Sequence, residues 1–234
     1  MARGGKRRVS PPTSAGELRI DIDLEHAERE AHRVRDWLGA LRVRHDLSRF
    51  EYTRLVRIVP AGPTYSHPIL TLGTRFTDTE DQLLATYLHE QMHWYLNLLG
   101  GPDVDPIAPF FDELVRRYPV APTRLPEGAR NYDQTYCHLV VNYLELEATS
   151  QFIGRDRATA LADTNYGYRW IYRTVIKDWD ELGALYRQHG ILPIVPADRL
   201  LNRAAPRRNR AEAATPRSRK SRRRSRARGG RSAG

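Results

Sequence analysis

Between Thr77 and Gly101 the chain carries its most restrictive stretch, a helix whose two ends are written in the sequence. Thr77-Asp78-Thr79-Glu80 has the Ser/Thr-x-x-Glu form of a capping box, and Gly100-Gly101 supplies the glycines that commonly end helices. The apolar residues between them recur at helical period, which predicts a helix over about 78–98. Leu88, Gln91, Met92 and Trp94 are all uncharged, as a buried helix requires. The 234 residues, 40% hydrophobic and 28% charged, provide enough apolar content for a single core around it. The longest purely apolar runs, such as 139–141, fall far short of the roughly 20 residues of a membrane span. No transmembrane helix and no membrane partner are therefore expected. The first residues, MARGGKRRVSPPTSAGE, lack the apolar segment of a secretory signal, so a cytoplasmic chain is expected.

The charge is unevenly placed. Of the formal +10, residues 203–234 carry +12 and residues 1–8 carry +4, so the body from Val9 to Asn202 is acidic at −6. A uniformly basic nucleic-acid-binding domain is excluded. The ends read as a flexible basic leader over 1–15 and a disordered Arg-rich tail over 203–234, too poor in apolar residues to offset the entropy of ordering. The tail could give sequence-blind, salt-dependent contact with nucleic acid, placing the protein near the nucleoid, or serve only as a solubilising end. It has no aromatic residue to stack bases.

The body, 16–202, reads as α+β and mostly helical. Leu24, Ala27, Ala31, Val34, Trp37 and Leu38 predict a helix over 24–40. Tyr52 to Val59 and His67 to Gly73 read as a small antiparallel strand pair joined by PAGPTYS. Helices follow over about 108–117, 134–153 and within 165–188. With Cys137 as its single cysteine, the chain has no internal disulfide and no multi-cysteine zinc module. Any metal must be held by histidine and carboxylate.

Inside the capped helix stands His89-Glu90-Gln91-Met92-His93, an H-E-x-x-H motif. His89 and His93 are i and i+4, so both rings leave one face a turn apart and can reach one metal ion. Glu90 is turned about 100° away, which suits a base acting on water rather than an equal third ligand. With 8 His and 13 Glu in the chain, about 0.015 such matches are expected by chance. The alternative is a surface helix with two exposed histidines.

HEQMH on a helix that follows two strands resembles the zinc metallopeptidases of the zincin group. The resemblance implies Zn2+, a peptide or protein substrate, and Glu90 as the base that takes a proton from water. Zincins that carry a third histidine six residues on are not matched, because Leu96 and Leu99 occupy those positions. A gluzincin-like pattern instead places a Glu on a later helix. Glu145 is the favoured ligand, beside His89 and His93, ahead of His138 and then Glu147. Glu145 and His138 are seven residues apart and share a helix face. His138 then becomes a catalytic hydrogen-bond donor or an ordinary core histidine. Where that family often has an Asp orienting a zinc ligand, this chain has Thr149. Cys137 reads as core. The resemblance also implies a tyrosine that stabilises the tetrahedral intermediate. Tyr168 and Tyr172 are the candidates, although Tyr166 to Arg173 reads more readily as a packing helix with surface arginines. The strand edge at Leu70 to Leu72 would pair with extended substrate.

Three functions follow. The first is an intracellular zinc metallopeptidase. The second is a DNA-associated protease recruited by the basic tail, similar in outline to the DNA–protein crosslink proteases, with His138 as third ligand. The third is a noncatalytic protein whose structural metal has four protein ligands.

Overall fold

The computed structural model describes residues 18–22, 29–75, 77–100 and 107–204. The expected leader, and the expected tail beyond residue 204, lie outside them. The described chain is mostly helical with one small sheet: β1 (Arg19–Ile22), α1 (Arg29–Arg44), a 3-10 turn (Leu47–Phe50), β2 (Leu55–Val59), β3 (Leu70–Gly73), α2 (Glu80–Leu99), α3 (Ala108–Arg117), α4 (Tyr132–Ile153), α5 (Arg155–Asp163), α6 (Arg169–Lys177), α7 (Trp179–Gln188) and α8 (Ala197–Ala204).

The strands correct the expected antiparallel pair. The sheet has three strands in the order β1-β2-β3, and both pairings are parallel, with Ile20 opposite Val56 and Ile58 opposite Leu72. Residues 60–69 do not form a hairpin turn. They travel back along the sheet, and Tyr65 makes a two-bond antiparallel bridge to Thr71 at 3.0 and 2.8 Å. The loop is thus the antiparallel neighbour of β3, and β3 re-enters parallel to β2. β1 was not anticipated, because a four-residue strand alternating exposed and half-buried positions carries too short a period to read.

α2 opens two residues later than the sequence suggested. Its box is Thr79 with Gln82: Thr79 Oγ1 accepts from Gln82 N at 3.2 Å, and Gln82 Oε1 accepts from Thr79 N at 3.0 Å. It ends on Gly100 as expected. α2 packs on α4, α1, α8 and β3, and α4 packs in turn on α3, α5 and α6. Leu83, Leu84, Tyr87, Leu88 and Met92 are all buried, so α2 is covered on every side. Buried Gln91 clamps the Thr53 backbone through both amide atoms at 3.1 and 2.9 Å. Beside it, fully buried Glu51 is held by Arg42 at 2.6 and 3.1 Å and by Tyr87 Oη at 3.2 Å. These contacts fix α2 to the strand layer and leave its opposite face to α4. Among the described residues no helix is long and apolar enough to cross a membrane.

Candidate metal centre

α2 and α4 bring three imidazoles together. His89 and His93 come from α2 and His138 from α4. Their ring centroids stand 5.1 Å (89–93), 5.5 Å (89–138) and 5.1 Å (93–138) apart, and one nitrogen of each lies within 4.8 Å of the others. Metal–nitrogen bonds of about 2.0–2.1 Å can draw such a spread around one ion. Two rings are already oriented for it. His89 Nδ1 donates to Glu145 Oε2 at 2.9 Å, and His138 Nδ1 donates to the Gln134 carbonyl at 2.7 Å. In each the bond leaves Nε2 as the lone-pair nitrogen.

Glu145, the ligand favoured from sequence, stands behind His89. Its Oε2 accepts from both His89 and Tyr172 Oη, the latter at 2.8 Å, and it is not in the group of converging donors. A buried carboxylate with two donors, one of them a ligand-type imidazole, is the usual partner that fixes ring orientation. The third converging nitrogen is that of His138, so its ring faces α2 rather than acting as a free hydrogen-bond donor. Glu147 is partly exposed and acts electrostatically on Tyr143 and Arg155. Cys137 stays outside the group, its thiol raised to about 11 by burial. Tyr172 is committed to Glu145, which sequence reasoning did not foresee; burial and the Glu145 charge raise its phenol well above the ordinary range.

Tyr168 faces the centre. Its ring stacks on His138 at 4.3 Å and lies parallel to His89 at 6.2 Å, with 8° between planes. It holds a left-handed backbone, φ 59° and ψ 32°, at the entry to α6, a conformation that costs about 1–2 kcal/mol for a residue with a side chain. The loop ahead of α4 holds it there. The Pro126 carbonyl accepts from Arg169 N at 2.8 Å, and the Glu127 carbonyl from Trp170 N at 3.1 Å. Burial, then the Glu90 charge, raises the Tyr168 phenol to about 12, so it keeps its proton.

The charges around two of the three rings suit ligation. Burial first, then the neighbouring His89, His138 and His67, lowers His93 to about 2. Burial and His89 lower His138 to about 4, against the opposing Gln134 bond. Both rings are neutral, as a metal requires. Burial disfavours charge on His89, but the Glu145 bond and the charges of Glu90 and Glu145 outweigh it and raise its pKa. Glu90 is 5% exposed, and burial raises it to about 7, with His89 opposing and Glu145 assisting.

His89 and Glu90 open onto a cleft of about 700 Å³. Loop residues Gly62 to Thr64 and Gly73 form one wall, and Tyr168, α5 and the far half of α4 form another. The β3 edge proposed to pair with substrate is occupied by its own loop: Thr71 bridges Tyr65, and Gly73 N donates to Thr64 Oγ1 at 2.9 Å. That expectation is therefore corrected. Sequence reasoning also missed Leu125, an exposed apolar side chain at the cleft, since it belongs to no periodic segment, and took Tyr166 as the start of a packing helix although it is exposed at the cleft. Comparisons with protein-family models, curated proteins and solved structures find no match to the chain.

Proposed function

We propose that the protein is a zinc-dependent hydrolase of polypeptides, a metallopeptidase of zincin type, in which His89, His93 and His138 hold the metal. One observation carries the reading: three ring nitrogens within 4.8 Å of one another, two with Nδ1 tethered, beside a buried carboxyl on the same helix. Bound there, zinc would supply Lewis acidity toward a carbonyl oxygen and make water acidic enough to ionise near neutral pH. Glu90, rotated off the ligand face and lining the cleft, takes a proton from water and returns it to the leaving amine. Tyr168 retains its phenolic proton and donates it as a hydrogen bond to the carbonyl oxygen as negative charge develops there. Glu145 and Tyr172 touch no substrate; they hold the His89 ring. Among the described residues the donor group has three members, which favours a catalytic centre over a structural site with four protein ligands.

The purified protein is expected to hold one zinc per chain by mass spectrometry and to cleave a casein or peptide substrate. Glu90→Gln should keep the zinc and lose cleavage, whereas His93→Ala should lose both. A chain that stays metal-free when folded with zinc, or a Glu90→Gln variant that cleaves normally, overturns the proposal.

A second reading keeps this chemistry and moves it to nucleic-acid-bound substrates. It shares the His138 ligand, since a third histidine is what the likeness to DNA–protein crosslink proteases implies, and differs from the first reading in what the basic residues 203–234 do. Deleting 203–234 and measuring DNA affinity at two salt concentrations tests the tail. The reading requires affinity that falls with salt and is lost on deletion.

A further inference from the structure

Asn165 stands on the connection from α5 to α6, exposed and lining the cleft, with its amide engaged at both ends. Oδ1 accepts from Gly167 N at 3.0 Å, closing a turn, and Nδ2 donates to Tyr172 Oη at 3.5 Å. The partners fix which end is which: only the oxygen can accept from an amide N–H, and only Nδ2 can donate to a phenol whose own hydrogen is already given away. Tyr172 Oη gives that hydrogen to Glu145 Oε2 at 2.8 Å, and the same carboxylate oxygen accepts from His89 Nδ1 at 2.9 Å. A continuous line of hydrogen bonds thus runs from the cleft wall to the ring of a candidate metal ligand. The other end of the amide acts on Tyr168. Gly167 immediately precedes it, so the left-handed backbone of Tyr168 starts from the turn that Asn165 closes. The Pro126 and Glu127 carbonyls hold the two residues after Tyr168, and Asn165 holds the one before.

We propose that Asn165 is a positioning residue that serves both sides of the centre at once. Through Tyr172 and Glu145 it steadies the His89 ring, and through Gly167 it holds Tyr168 over His138, whose ring is 4.3 Å away. A bond donated into a hydroxyl strengthens the bond that the hydroxyl donates onward, so Nδ2 tightens the grip of Tyr172 on Glu145. A ring whose orientation is already fixed gives up less freedom when it takes a metal. Asn165 itself touches neither the converging nitrogens nor the reacting atoms. The Tyr168 half of the inference rests on the hydrolase reading, whereas the His89 half requires only that the three histidines bind zinc.

Two substitutions separate the ends of the amide. Asn165→Ser keeps an oxygen that can accept from Gly167 N but is too short to reach Tyr172, and Asn165→Ala keeps neither. Competition of the full chain with a chromophoric chelator should show zinc held about threefold more weakly by both variants. Neither should weaken it further in a Tyr172→Phe background, where the line is already cut at the phenol. Steady-state kinetics of the zinc-saturated protein should show kcat lowered about tenfold by Asn165→Ala, with KM changed less than about twofold, and lowered less by Asn165→Ser. In a Tyr168→Phe background the alanine change should lower kcat no further. A general loosening of the fold would instead add its effect in both backgrounds. Wild-type zinc affinity in Asn165→Ser, an equal loss of affinity on top of Tyr172→Phe, or an equal loss of kcat on top of Tyr168→Phe overturns the inference. The hydrolase reading fails separately. A chain that shows the zinc coupling and cleaves nothing removes the enzyme and the Tyr168 half and leaves the His89 half standing, and cleavage without either coupling does the reverse.

Discussion

Whether a side chain binds metal or supports one that does is settled by a few ångströms, and Glu145 is the case in point. As a ligand its loss would abolish the site. As the acceptor for His89 Nδ1 at 2.9 Å, its loss should only loosen a ring. Glu145→Gln is therefore expected to weaken zinc affinity about 10–100-fold while keeping one zinc per chain at saturation, and His138→Ala to lose stoichiometric zinc. Competition with a chromophoric chelator measures both, and the opposite ranking would return Glu145 to the metal. Tyr172→Phe removes the second bond into Glu145 and should act in the same direction with smaller effect. In the proposed mechanism Tyr168 acts in the chemistry rather than in ligation. Tyr168→Phe keeps the ring stacked on His138 and should lower kcat about 10²–10³-fold with little change in KM or zinc content. A variant whose loss falls on KM instead makes Tyr168 a binding residue.

Helix ends and faces were legible in the sequence because they are local. The glycine stop at Gly100 and the shared face of His89 and His93 depend on residues at most a few positions apart, whereas the α2 cap was read two residues early, as Thr77 with Glu80 in place of Thr79 with Gln82. Strand direction was not legible. Alternating apolar residues in 52–59 and 67–73 specify a buried face and carry no information on whether the chain returns parallel or antiparallel. The third nitrogen was equally hidden. His138 and Glu145 share one face of α4, so only the crossing of α4 over α2 decides which of them joins the His89 and His93 nitrogens and which stands behind His89. The loop that makes the sheet parallel is also the cleft wall, and at Gly73 its backbone comes closest to β3. A Cβ there would lie 1.9 Å from the Gly62 carbonyl oxygen and 3.0 Å from the Pro63 carbonyl carbon, backbone atoms with no rotamer to yield. Gly73→Ala is expected to destabilise the protein by about 1–3 kcal/mol in urea unfolding. It should also weaken peptide binding, because the displaced segment lines the cleft. Unchanged stability would mean that the loop moves aside freely.

At the scale of the molecule, the centre is a cluster of groups whose protonation differs between folded and unfolded chains, so stability without metal must depend on pH. Folding lowers His93 to about 2 and His138 to about 4 from an ordinary 6.5, and raises Glu90 to about 7 from 4.5. His89 is raised and carries its proton in both states below 6.5. Between about pH 4.5 and 6.5 the unfolded chain therefore holds protons on His93 and His138 that the folded chain lacks. The folded chain keeps one on Glu90 that the unfolded chain has lost. The unfolded state binds one proton more, so stability rises with pH across this window and falls on acidification, by about 1.4 kcal/mol per pH unit. Above 6.5 the sign reverses, because Glu90 and His89 then hold protons longer in the folded chain. Urea titrations of chelator-treated protein at several pH values from 5 to 6 measure the slope. His138→Gln removes one of the two sites that gain a proton on unfolding, leaving His93 to balance Glu90. Its slope in the same window should fall close to zero, and a variant that keeps the full slope would show that His138 is not the buried, neutral ring on which a three-nitrogen centre depends.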